Sequence, residues 1–255
     1  VQAIKDNKKN LLMAAVMRFG KTHASYEIVN QCPSINKVIV TSGKADTEKA
    51  WHDDINHISF YKTFVFLEIK RDDKYKITEY DENISKLRTI ERNTETTSTY
   101  TYKRRTTPIN KLTDEYLTLP ELIDRKVKNG KKVILYFTLQ DLGGSVSELK
   151  SKHKELFTIE YDMLIVDETH YGSHASLWGK VTKMNKPNYD ELELDKDEIA
   201  ENEKEVASYE NDRKKLEGLN IKYKHVIQVS GTPYYILASN EMRESDAAII
   251  SKVSY

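Results

Sequence analysis

The chain has 255 residues, enough for one large domain or two small ones. Its 40 lysines and arginines balance 40 aspartates and glutamates, which excludes a global field drawing it to nucleic acid or membrane. Apolar residues make up 38% and charged residues 31%, and no run of about 18 apolar residues is present to cross a bilayer. A lone cysteine, Cys32, cannot form an internal disulfide and fits a reducing, cytoplasmic compartment. The sequence opens at Val1 without a charged-then-apolar leader and reads as a piece of something longer.

Short apolar, β-branched runs recur along the chain, each followed by a loop and a helical pattern. "NLLMAAV" (Asn10 to Val16) predicts a strand that runs into a Gly-Lys-Thr turn and a helix through about Asn30. "KVIVTS" (Lys37 to Ser42) predicts a second strand, followed by a helix with apolar spacing at Ala45, Ala50 and Ile55. Further strands are predicted at Phe64 to Ile69, Lys132 to Thr138, Met163 to Glu168 and His225 to Gly231, with "VSELKSKHKELF" as a helix after the second of these. Continuous apolar strands alternating with helices imply a mainly parallel sheet covered on both faces, an α/β domain.

Two polar insertions interrupt the alternation. The first, about 71–129, carries "RNTETTSTYTYKRRTT" and reads as an exposed insertion or hairpin. In its sharper reading, Tyr100, Tyr102, Lys103, Arg104 and Arg105 touch nucleic acid through stacking and phosphate contacts. The second, about 185–222, has Leu192, Ile199 and Val206 at seven-residue intervals, and Tyr209 and Leu216 likewise. That spacing predicts a solvated amphipathic helix or helical hairpin.

Three polar clusters close apolar strands. Ala15-x-x-x-x-Gly20-Lys21-Thr22 has the form of a phosphate loop, including Arg18 and Phe19, with Arg18 where many such loops carry glycine. Such a loop points backbone N–H groups inward at a helix N-terminus, Lys21 reaches the β- and γ-phosphates, and Thr22 offers its hydroxyl to Mg²⁺. Asp167-Glu168-Thr169-His170 follows "MLIV" and supplies a metal-holding carboxylate beside one that can deprotonate water. Ser230-Gly231-Thr232-Pro233 closes a third strand. Open α/β sheets place ligands at the carboxyl ends of their strands, so the three clusters are expected to converge.

In this order the motifs resemble the first RecA-like domain of superfamily 2 helicases and translocases. Restriction-enzyme R subunits of types I and III are the most similar group. The resemblance covers most of the chain outside the two insertions, as a single domain over residues 1–255. It implies that Lys21 and Thr22 bind ATP and Mg²⁺, Asp167 holds the metal and Glu168 is the catalytic base. His170, Ser230 and Thr232 would couple nucleotide state to movement. "VIVTSGKADTEKAW" is similar to motif Ia, and "FTLQDL" to the TxxQ element, implying backbone contacts from Thr41, Ser42, Lys44, Thr138 and Gln140. Gln2 lies too close to Lys21 to be the family's adenine-reading glutamine.

The resemblance implies duplex DNA as the track, with nuclease or methylase modules elsewhere in the full protein. An RNA helicase or remodelling ATPase shares the same motifs. A P-loop nucleotide switch or kinase, or an inactive scaffold, would share only part of them. The second RecA-like domain and its arginine fingers are not among these residues. Since an arginine finger contributes on the order of 10³–10⁵ in rate, the segment alone is expected to bind ATP–Mg²⁺ and hydrolyse it weakly.

Overall fold

The computed structural model describes residues 1–14, 20–42, 47–55, 61–69, 74–93, 98–138, 151–167, 221–230 and 247–252. In chain order they form α1 (Gln2–Lys5), β1 (Asn10–Ala14), α2 (Lys21–Gln31), β2 (Lys37–Ser42), α3 (Thr47–Asp54) and β3 (Phe64–Ile69). A hairpin of β4 (Lys74–Asp81) and β5 (Lys86–Asn93) follows, then α4 (Ser98–Thr106), α5 (Leu119–Lys128) and β6 (Lys132–Thr138). The rest is α6 (Ser151–Leu156), β7 (Glu160–Asp167), β8 (Lys222–Ser230) and β9 (Ala247–Lys252).

One sheet takes all of these strands in the order β5-β4-β3-β6-β2-β7-β8-β1-β9. From β3 through β9 every neighbouring pair is parallel. Only the β3–β4 and β4–β5 pairs are antiparallel. The central strands are legible as such because a parallel strand with helices on both sides has no solvent face. Every residue of β3 and of β6 is buried, as are Val38 to Ser42 of β2.

The sheet separates two apolar layers. Side chains of β2, β6 and β7 alternate between them, as the strand period demands. On one face Ile39, Leu135, Phe137, Leu164 and Val166 pack with Leu119, Leu122 and Ile123 of α5 and Leu156 of α6. On the other, Val38, Val40, Tyr136, Met163 and Ile165 pack with Tyr26 and Val29 of α2 and with Trp51 and Ile55. Fully burying each such side chain contributes roughly 1.5–3 kcal/mol.

The 71–129 insertion is tied into this frame. β4 and β5 extend the sheet beyond β3, with Tyr75 and Ile77 turned into the core. α5 is a well-specified helix. Thr118 Oγ1 accepts the Glu121 N–H while the Glu121 carboxylate accepts the Thr118 N–H, and Pro120 occupies the first turn.

At the amino edge, where the strands begin, side chains clasp neighbouring segments together. The Asp162 carboxylate accepts the N–H groups of Asn36 and Lys37 at 2.9 and 3.1 Å, and Lys224 Nζ at 2.7 Å. It thereby joins the starts of β2, β7 and β8. Burial works to raise the Asp162 carboxyl, but Lys224 and the two N–H groups outweigh it and hold it below its ordinary range. Lys132 Nζ donates to the carbonyls of Cys32 and Ile35 at 2.8 and 2.6 Å, capping the end of α2, while burial pulls its ammonium below the usual lysine range.

Candidate nucleotide and nucleic-acid site

The carboxyl edge gathers the polar strand ends. In the sheet register Ser42 of β2 lies between Thr138 of β6 and Asp167 of β7. Asp167 is opposite Val229 of β8, and Ser230 is opposite Ala14 of β1. Five adjacent parallel strands therefore end in one row, and the row contains a residue from each of the three predicted clusters or the loop entering it. Strand alternation puts Ser42, Thr138 and Asp167 on the face covered by α2 and α3.

Beside this row, β1 ends at Ala14 and α2 starts at Lys21. Gly20 is the N-cap of α2, at φ 81° and ψ 35°, in the left-handed region that residues with a Cβ avoid. It brings no capping side chain, and the first turn of the 11-residue helix contains no acid. Neither the N-cap nor the first turn therefore supplies an acid to the positive end of the helix dipole, a position that favours anions. Lys21 and Thr22 are half-buried at this start, with Ser25 Oγ donating to the Lys21 carbonyl at 2.9 Å.

Asp167 is the buried acid of the row, 6% exposed. The indole Nε1–H of Trp51, in α3, donates to its Oδ2 at 2.9 Å. Trp51 is itself held by Tyr26 of α2, whose hydroxyl donates to the Trp51 carbonyl at 2.8 Å and whose ring lies 5.5 Å away, tilted. Next to them the Tyr136 hydroxyl shares a 2.7 Å hydrogen bond with Thr47 Oγ1 at the start of α3. Burial first, and then the charges of Asp167 and Glu48, push the Tyr136 phenol well above its ordinary range. The network links α2, α3 and the strand-end acid Asp167.

These partners were missed in the sequence. The apolar spacing chosen for α3 ran through Ala45, Ala50 and Ile55, whereas the structure buries Trp51 with Ile55 and exposes Ala50. A Trp–Ile pair four residues apart lies on one helix face and outweighs a stripe built on alanine.

Of the expected site residues, Gly20, Lys21, Thr22, Thr41, Ser42, Thr138, Asp167 and Ser230 fall in described segments. Ala15, Arg18, Phe19, Lys44, Gln140, Glu168, His170 and Thr232 lie outside them, as does most of the 185–222 insertion. Thr41, Ser42 and Thr138 are all buried. Thr41 sits on the opposite face, level with Phe137 and Val166, and its Oγ1 has no hydrogen-bond partner among the described residues.

The basic stretch of α4 divides in two. Arg104 is engaged with Glu121 and with the Tyr116 carbonyl, and Tyr100 packs 6.2 Å from the Tyr116 ring. Tyr102, Lys103 and Arg105 are exposed.

Among the described residues no three His, Cys, Asp or Glu side chains form a metal cluster. Mg²⁺ at a nucleotide needs none, since one or two carboxylates, a hydroxyl, waters and phosphates complete its shell. The uncapped start of α2 and the buried carboxylate of Asp167 fit that pairing. No helix among the described residues is long and apolar enough to cross a membrane.

A parallel sheet with a glycine-capped helix after its first strand, and with acid and hydroxyl residues along one carboxyl edge, defines a RecA-like P-loop domain. Within that class the family described as "Type III restriction enzyme, res subunit" matches residues 1–190. The chain belongs to this family, one of helicase-like, nucleotide-binding ATPase domains in restriction enzymes. It is also 26% identical over 236 residues to a Mycoplasma pneumoniae protein named "Putative type II restriction enzyme and methyltransferase RM.MpnORF110P C-terminus". That match covers 92% of the chain and 27% of the relative, so the chain spans about a quarter of the relative's length.

Proposed function

We propose that the chain is the ATP-binding and hydrolysing motor domain of a DNA translocase or helicase in a restriction-type enzyme. The observation that carries this reading is the single row of Thr138, Ser42, Asp167 and Ser230 beside the Gly20–Lys21 helix start. ATP with Mg²⁺, when bound, supplies the transferable γ-phosphoryl group. Lys21 grips its phosphates, aided by the loop of Ala15, Arg18, Phe19 and Gly20, while Thr22 and Asp167 hold the metal. Glu168 takes the proton of the attacking water. His170, Ser230 and Thr232 pass the nucleotide state to the strand and to a second RecA-like domain.

Duplex DNA is the favoured track, contacted through phosphates without base reading, which makes binding salt-sensitive. Because Thr41, Ser42 and Thr138 are buried, Lys44 and Gln140 carry most of the direct contact in this reading. The relative's name, which joins restriction and methyltransferase activities, supports nuclease or methylase modules in the full-length protein.

The test is to compare ATP hydrolysis with duplex DNA, single-stranded DNA and RNA. Stimulation by duplex DNA is expected of the full-length protein, and only weak hydrolysis of the 255-residue segment alone. A preference for RNA would move the reading to an RNA remodelling ATPase, and failure of every polynucleotide to bind would leave a nucleotide switch.

A further inference from the structure

Asp167 is held in a way the motifs do not explain. A carboxylate turns about a broad terminal torsion, so a strand-end aspartate does not by itself aim an oxygen in one direction. Here Oδ2 is fixed by the Trp51 indole, a group that only donates, at 2.9 Å in a buried setting. The indole has little freedom of its own. Trp51 is 1% exposed, packs against Tyr26, and has its carbonyl bonded by the Tyr26 hydroxyl.

A buried indole needs some acceptor, and a backbone carbonyl would satisfy it. The acceptor used is instead the carboxylate in the row of strand ends, 116 residues away. Partners of this kind orient metal-holding carboxylates and set their affinity.

We infer that Trp51 is a positioning residue for Asp167: its indole N–H holds the carboxylate in the orientation that receives Mg²⁺ with the nucleotide. The inference rests on the reading of Asp167 as the metal-holding acid. Since α3 begins at Thr47, directly after the segment assigned to the nucleic-acid backbone, Trp51 also makes the acid sensitive to any shift of that helix.

The experiment uses the intact protein and titrates Mg²⁺ against binding of a fluorescent ATP analogue. Wild type is compared with Trp51→Phe and Asp167→Asn, and thermal melting is recorded alongside. Trp51→Phe keeps a six-membered ring against Tyr26 and loses the donor together with the volume of the indole's second ring, so it is expected to fold but to melt below wild type. Its Mg²⁺ half-point should rise about 10-fold, while analogue binding without metal stays unchanged. If the phenylalanine variant does not fold, the fluorine measurement below carries the test with the indole retained.

As an independent measure, 5-fluorotryptophan at position 51 should shift its ¹⁹F resonance when Mg²⁺ joins the nucleotide. The inference is overturned if Asp167→Asn abolishes the Mg²⁺ dependence while Trp51→Phe titrates like wild type, or if the resonance does not move. If Asp167→Asn itself titrates like wild type, the underlying metal assignment is what fails.

Discussion

Arg104 and Glu121 meet in a two-pronged ion pair, Nη1 to Oε2 at 2.6 Å and Nη2 to Oε1 at 2.9 Å. The same carboxylate accepts the Thr118 N–H that opens α5, so one glutamate both caps a helix and anchors α4 to it. Arg104 is therefore a structural residue inside a stretch whose sharper sequence reading is a nucleic-acid contact. Arg104→Ala is expected to cost about 1–3 kcal/mol in urea unfolding, as a charge-assisted, half-buried pair is lost. DNA affinity measured below the unfolding transition should be unchanged. Loss of affinity at full stability would return Arg104 to the DNA-binding surface.

The pair also sets an acid limit. The Arg104 hydrogen bonds hold the Glu121 carboxyl far below its usual range, at about 2, and the Thr118 N–H adds to the effect against a burial cost. A carboxyl depressed in the folded state stabilises the fold above its unfolded pKa, and that stabilisation fades as pH falls toward the folded value. Part of the stability, about 1–2 kcal/mol after solvent screening, should disappear between roughly pH 5 and pH 2. Glu121→Gln should be less stable at pH 7 and flatter over that window. An equally steep loss in the variant would assign the acid sensitivity elsewhere.

At the helix start, Lys21→Ala should abolish ATP binding, whereas Glu168→Gln should keep binding and stop turnover. Equilibrium binding of labelled nucleotide and a phosphate-release assay separate the two. Turnover that persists in Glu168→Gln would remove this residue from the role of base.

Gly20→Ala tests the backbone itself. Among the described residues a Cβ at this position meets nothing within 4 Å. The obstacle is the left-handed conformation at φ 81°, which costs a residue with a side chain roughly 1–2 kcal/mol. The variant should lose about that much stability and weaken nucleotide binding, as α2 no longer starts in the same place. Unchanged binding would show that the loop does not depend on this geometry.

Much of the fold could be read because its central strands are continuous apolar runs. Lys37 to Ser42, Phe64 to Ile69 and Lys132 to Thr138 form strands over the expected residues. The hairpin of β4 and β5 falls within the reading of 71–129 as an insertion or hairpin. α5 was obscured by the average polarity of its region, although Thr118-x-x-Glu121 before Leu122 and Ile123 is a readable capping box. β9 carries the short apolar run Ala247 to Ile250 and takes its place at the sheet edge by pairing with β1. The Trp51–Asp167 bond lies beyond any pattern within a window of residues. It depends on α3 folding back over the face of the sheet where β7 ends.

The Asp162 clasp makes the two ends of the sheet mechanically unequal. With β2, β7 and β8 fastened at their starts by one carboxylate, and α2 fastened at its end by Lys132, the sheet resembles a comb held at its spine. The pairing continues to the tips, where Ser42 lies between Thr138 and Asp167.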